Sequence, residues 1–123
     1  MQFHRDASDG INIISAFSSD GLHVNNKVLA TPCVIAIATI IETWQVGDVA
    51  DLSANDFQPL LELQPELIIL GTGKQLQFPQ NCVIEAVNQA GIGFEVMDTA
   101  AGCRTYNVLA HEGRKVALGL LAI

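Results

Sequence analysis

The chain has 123 residues, of which 50% are apolar and 15% are charged, with 13 acidic against 6 basic side chains. This length suits one domain, and the apolar content is sufficient for a core, which excludes disorder of the whole chain. A net charge of −7 argues against a nucleic-acid-binding surface, because such a surface needs a basic footprint. All of the net acidity lies in residues 1–66, whereas residues 67–123 carry equal numbers of acids and bases.

The first half of the chain predicts short strands. Apolar runs at Ile11–Phe17, Leu22–Val24 and Lys27–Ala30 are separated by turn residues, and Asn25-Asn26 is a favoured hairpin pair because Asn tolerates positive φ. The β-branched run Cys33–Ile41 is predicted to be one buried strand.

The second half predicts alternating helices and strands. The expected elements are a short helix capped at Asn55-Asp56 and ending at Leu63, a strand Leu67–Leu70, a helix that starts at Pro79 and is terminated by Gly91, a strand Phe94–Asp98, a helix capped by Thr99 and running to about Glu112, and a strand Val116–Ile123. This order predicts that Leu67–Leu70 and Phe94–Met97 pair in parallel through a right-handed crossover. Because buried parallel strands need helices on their faces, we expect one α/β domain of about three layers over residues 1–123.

No apolar stretch approaches the roughly 20 residues that span a bilayer, so no membrane insertion is expected. The polar N-terminus has the features of neither a signal peptide nor a transit peptide, and a cytoplasmic location is expected. Cys33, Cys82 and Cys103 are widely spaced, which indicates reduced thiols rather than a disulfide framework or a metal site. No cofactor is predicted.

Ligands in open α/β sheets collect at the carboxyl ends of parallel strands. The chain has two such ends, and a helix that begins beside them would offer free N–H groups to an anion. The candidate ligand-binding residues are Gly71, Thr72, Gly73, Lys74, Thr99, Arg104 and Asn107. The alternative is purely structural: glycines let a strand exit sharply into a loop, and Asp98-Thr99 caps a helix. The glycines match neither a dinucleotide fingerprint nor a P-loop.

The third predicted helix carries further polar candidates. Cys103 lies near its start and beside Arg104, a setting that activates some thiols, although buried free cysteines are common. Arg104, Asn107 and His111 share one side of the helix, as part of a site or as a solvated face. The remaining candidates, expected to support the structure or the site, are Asp98, Tyr106, Glu112 and Arg114. Among these, Tyr106 needs a hydrogen-bond partner for its hydroxyl. The Glu112 and Arg114 side chains are expected to stabilise the turn between the helix and the last strand by charge-assisted hydrogen bonds.

The segment from Gly91 to Leu121, with Gly71-Thr72-Gly73, Pro79 and Trp44, resembles the Mth-type domain family of unknown function. The most specific motifs are Met97-Asp98-Thr99, Arg104-Thr105-Tyr106-Asn107 and Glu112-Gly113-Arg114. The resemblance runs from about Asn12 to the end of the chain. It implies a three-layer α/β domain with a central mixed sheet and an additional N-terminal β-hairpin layer. The family that the sequence resembles includes a mitochondrial complex I assembly factor and an adipogenesis-associated protein. The resemblance therefore implies no particular enzymatic reaction.

Two functions follow from these observations. The first is a non-catalytic binding or assembly module with a protein partner, because no acid–base or nucleophile–base constellation is recognisable. The alternative is a protein or enzyme that binds a small anionic ligand at the carboxyl ends of the parallel strands. The sequence leaves the oligomeric state open.

Overall fold

The computed structural model describes residues 10–122. Its first element is a three-stranded antiparallel sheet of β1 (Ile14–Ser18), β2 (Gly21–Val24) and β3 (Lys27–Leu29). Asn25 and Asn26 both have positive φ in the β2–β3 turn, as the Asn-Asn pair predicts.

A five-stranded mixed sheet forms the centre of the fold. Its strands are β4 (Cys33–Ala36), β5 (Ile40–Ile41), β6 (Leu67–Gly71), β7 (Gly93–Met97) and β8 (Val116–Leu120), in the order β5-β4-β8-β6-β7. The strand β6 runs parallel to both β7 and β8, and β4 runs antiparallel to β5 and β8. The predicted parallel pairing of the second half is therefore confirmed.

Within residues 10–122, three α-helices accompany the two sheets: α1 (Gln58–Leu61), α2 (Asn81–Gln89) and α3 (Thr99–His111). Two 3₁₀ turns, Val49–Asp51 and Ala54–Phe57, precede α1. Pro59 is tolerated in α1 because it lies in the first turn, where its missing N–H is not needed.

The central sheet divides the core into two apolar clusters because its side chains alternate between faces. Ile35, Ile69 and Leu118 pack toward α3 and the three-stranded sheet. Ile68 and Leu70 pack on the opposite face, in the cluster that includes Trp44, Phe57 and the buried side of α2. The α/β class with a central mixed sheet and an N-terminal hairpin layer, expected from the sequence, is confirmed.

Four sequence predictions about individual elements need correction. The run Cys33–Ile41 is not one strand, because the Ala36 N–H donates to the Thr39 carbonyl at 2.8 Å and reverses the chain into β5. The apolar composition of the run is the same on both sides of the turn, so composition alone did not reveal it. The expected helix at Asn55-Asp56 begins as a 3₁₀ turn, in which the Asp56 carboxylate accepts from the Ser53 N–H at 2.8 Å.

The remaining two corrections concern helix starts. The helix predicted from Pro79 begins at Asn81. The helix predicted to be capped by Thr99 is capped by Asp98, whose side chain accepts from the Ala101 N–H at 2.9 Å. Thr99 is instead the first residue of α3.

Candidate functional site

The carboxyl ends of β6 and β7 lie side by side, as the sequence predicts. The Thr72 N–H donates to the Met97 carbonyl at 2.9 Å, and the Thr99 N–H donates to the Gly73 carbonyl at 2.9 Å. The Gly73 N–H in turn donates to the Thr99 hydroxyl oxygen at 2.8 Å. The two predicted segments are thus joined directly to each other by their own polar groups.

Gly71 and Thr99 form a tightly packed joint between β6, β8 and α3. A Cβ atom at Gly71 would lie 2.6 Å from Leu120 Cδ2 and 3.3 Å from Thr99 Cα. Thr99 is fully buried, and its hydroxyl and backbone N–H both serve the Gly73 peptide groups. A glycine is required here because the helix approaches the strand closely.

The N-terminus of α3 was predicted to offer free N–H groups to an anion. The Thr99 N–H is bound to Gly73, and the Ala101 N–H is bound to the Asp98 carboxylate. The Asp98 side chain also places a carboxylate at the positive end of the helix dipole. Any anion at this end would therefore compete with an acidic cap that the protein already provides.

The segment between β6 and α2, residues 72–80, is hereafter the β6–α2 loop. The Thr72 hydroxyl donates to the Gln75 carbonyl at 2.6 Å and accepts from the Gln77 N–H at 3.2 Å. The loop exposes two large apolar side chains, Leu76 at 51% and Phe78 at 66% of their full accessible surface. These two residues are not among the candidates predicted from the sequence, because an apolar side chain in a loop is as compatible with a core as with a surface.

A polar cleft of about 380 Å³ borders the β6–α2 loop. It is lined by Thr72 and Gln77 of the loop, by residues 47–50, and by Leu121 and Ala122. The Gln80 amide donates to the Ala50 carbonyl at 3.1 Å and fixes the loop to this neighbouring segment. Lys74 is exposed on the loop.

Arg104 and Asn107 line a different cleft, of about 220 Å³, between β1 and α3. The Asn107 amide donates to the Ile14 carbonyl at 2.7 Å and its oxygen accepts from the Ile14 N–H at 2.9 Å. The register of β1 shifts between Ile14 and Ala16, so the strand has an irregularity at this point. Asn107 therefore holds the strand in place, whereas Arg104 is exposed at the cleft.

Two neighbouring candidates on α3 are buried. The pKa of the Cys103 thiol is raised to about 12. Burial is the main cause, the Cys33 thiol also raises this pKa, and Arg104 lowers it. A thiol with this pKa is protonated at neutral pH and is a poor nucleophile. Burial also raises the pKa of Tyr106, whose hydroxyl donates to the Asn12 carbonyl at 2.7 Å and gains the partner that it was expected to need.

Arg114, which was expected to hold the turn before the last strand, binds a carboxylate that is distant in the chain. Its Nε donates to Glu66 Oε1 at 2.7 Å, which ties the start of β8 to the start of β6. This hydrogen bond lowers the pKa of Glu66. Glu112 follows α3 at its C-cap, where its backbone N–H donates to the Val108 carbonyl at 3.1 Å.

Within residues 10–122, no group of three or more His, Cys, Asp or Glu side chains is arranged to hold a metal ion. In the same part of the chain, none of the helices has the length and apolar character to cross a bilayer.

Both the sequence and the fold of the chain match a known family. A sequence model described as "Protein of unknown function (DUF498/DUF598)" matches residues 14–121. The chain belongs to this family. A crystal structure of a protein from Bordetella parapertussis is 30% identical, with a TM-score of 0.85 over 93% of this chain and 98% of that one. A Bordetella pertussis Mth938-like domain is 26% identical, with a TM-score of 0.82 over 98% of this chain and 92% of that one. The family resemblance seen in the sequence is confirmed.

Several curated relatives of this family member have names that refer to assembly. The human protein named NADH dehydrogenase (ubiquinone) 1 alpha subcomplex assembly factor 3 is 33% identical over 110 residues, which are 88% of this chain and 59% of that protein. The Bos taurus protein of the same name is 34% identical over the same shares. The chain thus spans about three fifths of the length of the curated relatives it matches. A Francisella tularensis protein named "13 kDa major membrane protein" is 26% identical over 70% of this chain and 71% of that protein.

Proposed function

We propose that this chain is a non-catalytic protein-binding module that acts in the assembly of an NADH dehydrogenase complex. The observation that carries the proposal is the match over 88% of the chain to relatives named as assembly factors of that complex. The activity of those longer proteins is carried over here as a proposal about the shared domain alone.

The chemistry of the predicted site favours binding over catalysis. The Thr99 hydroxyl joins the β6 end to α3, the Asp98 carboxylate caps α3, and the Asn107 amide holds β1. The Cys103 thiol, which was the candidate nucleophile, has its pKa raised to about 12 by burial. These groups stabilise the fold, so the residues exposed around them are better candidates for function.

The β6–α2 loop provides the surface for this binding. Leu76 and Phe78 are among the most exposed large apolar side chains of residues 10–122. Aromatic and aliphatic side chains of this kind are the usual anchors of protein interfaces. The hydrogen bonds from Thr72 fix the loop backbone in advance, which lowers the entropic cost of binding a partner.

The test is affinity capture with the purified chain in an extract of the cells that express it, with bound proteins identified by mass spectrometry. We expect NADH dehydrogenase subunits to be retained by the wild type. The double variant Leu76→Ser/Phe78→Ser should retain at least fivefold less of them, because it removes the apolar anchors without touching the core.

Val28→Ser is the matched control, since Val28 is a similarly exposed apolar residue on β3 of the other sheet. The Val28→Ser variant should retain as much of the NADH dehydrogenase subunits as the wild type does. The proposal fails if no NADH dehydrogenase subunit is enriched, or if the loop variant and the control lose capture equally.

We further propose that the chain acts in the cytoplasm, where it associates peripherally with a membrane complex. The cytoplasm is the compartment expected from the sequence, and the peripheral association agrees with the assembly-factor names of the relatives. Cell fractionation followed by a salt wash checks this proposal: we expect the membrane-bound fraction of the chain to be released by salt.

The cleft between β1 and α3 supports a second candidate function, the binding of a small anionic ligand. Arg104 is exposed there beside an irregularity in β1, a feature that is over-represented next to binding sites. A thermal-shift screen of phosphates, nucleotides and carboxylates tests it. A ligand at 100 times its Kd should add about 2.7 kcal/mol of stability, and Arg104→Gln should abolish that gain. A screen without any shift would exclude the compounds tested.

A further inference from the structure

The apolar side chains of the β6–α2 loop lie next to an acidic segment of the chain. Residues 42–56 contain Glu42, Asp48, Asp51 and Asp56 and no basic residue. Two of these carboxylates already serve local contacts, since Glu42 lies 3.5 Å from Lys27 and Asp56 accepts from the Ser53 N–H. Of the other two, Asp48 lines the cleft and Asp51 is the exposed residue that directly follows the lining segment 47–50.

The acidic segment adjoins the β6–α2 loop at the cleft and through one hydrogen bond, and the two together make up one surface. Asp48 lines the cleft together with Thr72 and Gln77, and Leu76 and Phe78 directly flank Gln77 in the chain. Asp51 follows Ala50, whose carbonyl accepts the hydrogen bond from Gln80 at the end of the loop.

The charge balance of this surface is negative. Lys74 is the basic residue of the loop, against Asp48 and Asp51 on the neighbouring segment. Complementary charge on a partner steers its encounter with such a surface and discriminates against partners of the wrong sign.

We propose that this surface binds a protein segment in which a lysine or arginine lies next to an apolar side chain. The apolar residue would pack on Leu76 and Phe78, and the cation would lie over the cleft beside Asp48 and Asp51. This inference rests on the proposed function, since it names the chemistry of the partner at the same loop. An anionic membrane surface is disfavoured as the occupant because the two aspartates would repel it.

The probes are three synthetic peptides of equal length in which leucine alternates with lysine, glutamine or glutamate. Binding to the labelled peptides is measured by fluorescence anisotropy at low and at physiological salt. We expect the lysine peptide to bind at least tenfold more tightly than the glutamate peptide, with a preference that declines as salt rises. Leu76→Ser/Phe78→Ser should weaken binding of the lysine and glutamine peptides at least fivefold.

Asp48→Asn/Asp51→Asn tests the charged half of the surface separately. It should bring the affinity for the lysine peptide close to that for the glutamine peptide while leaving the latter unchanged. Asp20→Asn, at the β1–β2 turn, is the matched control for the loss of an acidic charge and should preserve the preference for lysine.

The inference is overturned if no peptide binds, if the three peptides bind equally, or if Asp20→Asn removes the preference as fully as the Asp48/Asp51 variant. Binding to phosphatidylglycerol vesicles that depends on Phe78 would also overturn it, in favour of a membrane contact. Capture of NADH dehydrogenase subunits that depends on Leu76 and Phe78 but not on Asp48 and Asp51 would refute this inference and leave the proposed function standing. Peptide discrimination without such capture would refute the proposed function alone.

Discussion

The parallel strands β6 and β7 end side by side, but the segments that follow them differ in almost every respect. After β7, the chain enters α3 through the single residue Asp98, and the polar groups of Asp98 and Thr99 are hydrogen-bonded within the fold. After β6, the chain takes nine residues to reach α2 and exposes Leu76 and Phe78 on the way.

This difference distinguishes a strand end whose polar groups are used within the fold, that of β7, from a strand end whose side chains are available for binding, that of β6. Both ends lie where ligands collect in α/β sheets, and both carry residues of the family motif. The β6–α2 loop borders a cleft and exposes the large apolar side chains Leu76 and Phe78, whereas the residue between β7 and α3, Asp98, is polar and partly buried. Substitutions at the two ends should therefore separate into those that change stability and those that change binding.

Gly71→Ala should have the largest effect on stability. The added Cβ would meet the Leu120 side chain and the Thr99 backbone, and overpacking of this kind costs roughly 2 to 3 kcal/mol. Urea unfolding measures the change. Gly47→Ala is the control, because a Cβ there meets no atom within 4 Å, and its free energy of unfolding should remain near that of the wild type. Equal stability of the two variants would show that the joint between β6 and α3 is loose.

Thr99→Val should be the next most destabilising change. It keeps the shape of the side chain but removes the acceptor of the buried Gly73 N–H, and an unsatisfied buried donor costs about 2 kcal/mol. The temperature of thermal unfolding of the variant, compared with that of the wild type, measures this loss of stability. Thr105→Val, at a partly buried position on the same helix, controls for the loss of a hydroxyl. If both valine variants unfold at the same temperature, the hydroxyl of Thr99 contributes nothing specific.

The elements that the sequence predicted well are those fixed by local patterns. The pairing of β6 with β7 followed from two short apolar runs around a helix, and the end of α2 followed from Gly91, which has the positive φ of a helix-terminating glycine. The proximity of Gly73 to Thr99 was predictable for the same reason, because parallel neighbours end at one edge of the sheet.

The parts that sequence reasoning missed depend on distant contacts. Arg114 binds Glu66, which is 48 residues away, although Glu112 was the acid nearest in the chain. Asn107 binds Ile14 across 93 residues, which no spacing on one helix reveals. The exposure of Phe78 also followed from tertiary structure, because an apolar side chain in a loop is as compatible with a core as with a surface.

Asp98→Ala should have a smaller effect than either change at the joint. It removes the cap on the Ala101 N–H and the carboxylate at the helix N-terminus, which together contribute about 1 kcal/mol. Asp98→Asn keeps a capping oxygen and should recover most of that stability in urea unfolding. Equal losses in the two variants would mean that charge, and not the capping hydrogen bond, stabilises this end of α3.

Leu76→Ser/Phe78→Ser should have the smallest effect on stability, within about 0.5 kcal/mol of the wild type, because exposed side chains contribute little to folding. Thr72→Val is the comparison within the same loop, since it removes the hydroxyl that holds Gln75 and Gln77 and should cost about 1 kcal/mol. Urea unfolding of the three proteins, beside the binding measurements, completes the contrast between the two strand ends. A loss of 2 kcal/mol or more in the serine variant would mean that Leu76 and Phe78 pack into the fold in solution, and the β6–α2 loop would then be as structural as the end of β7.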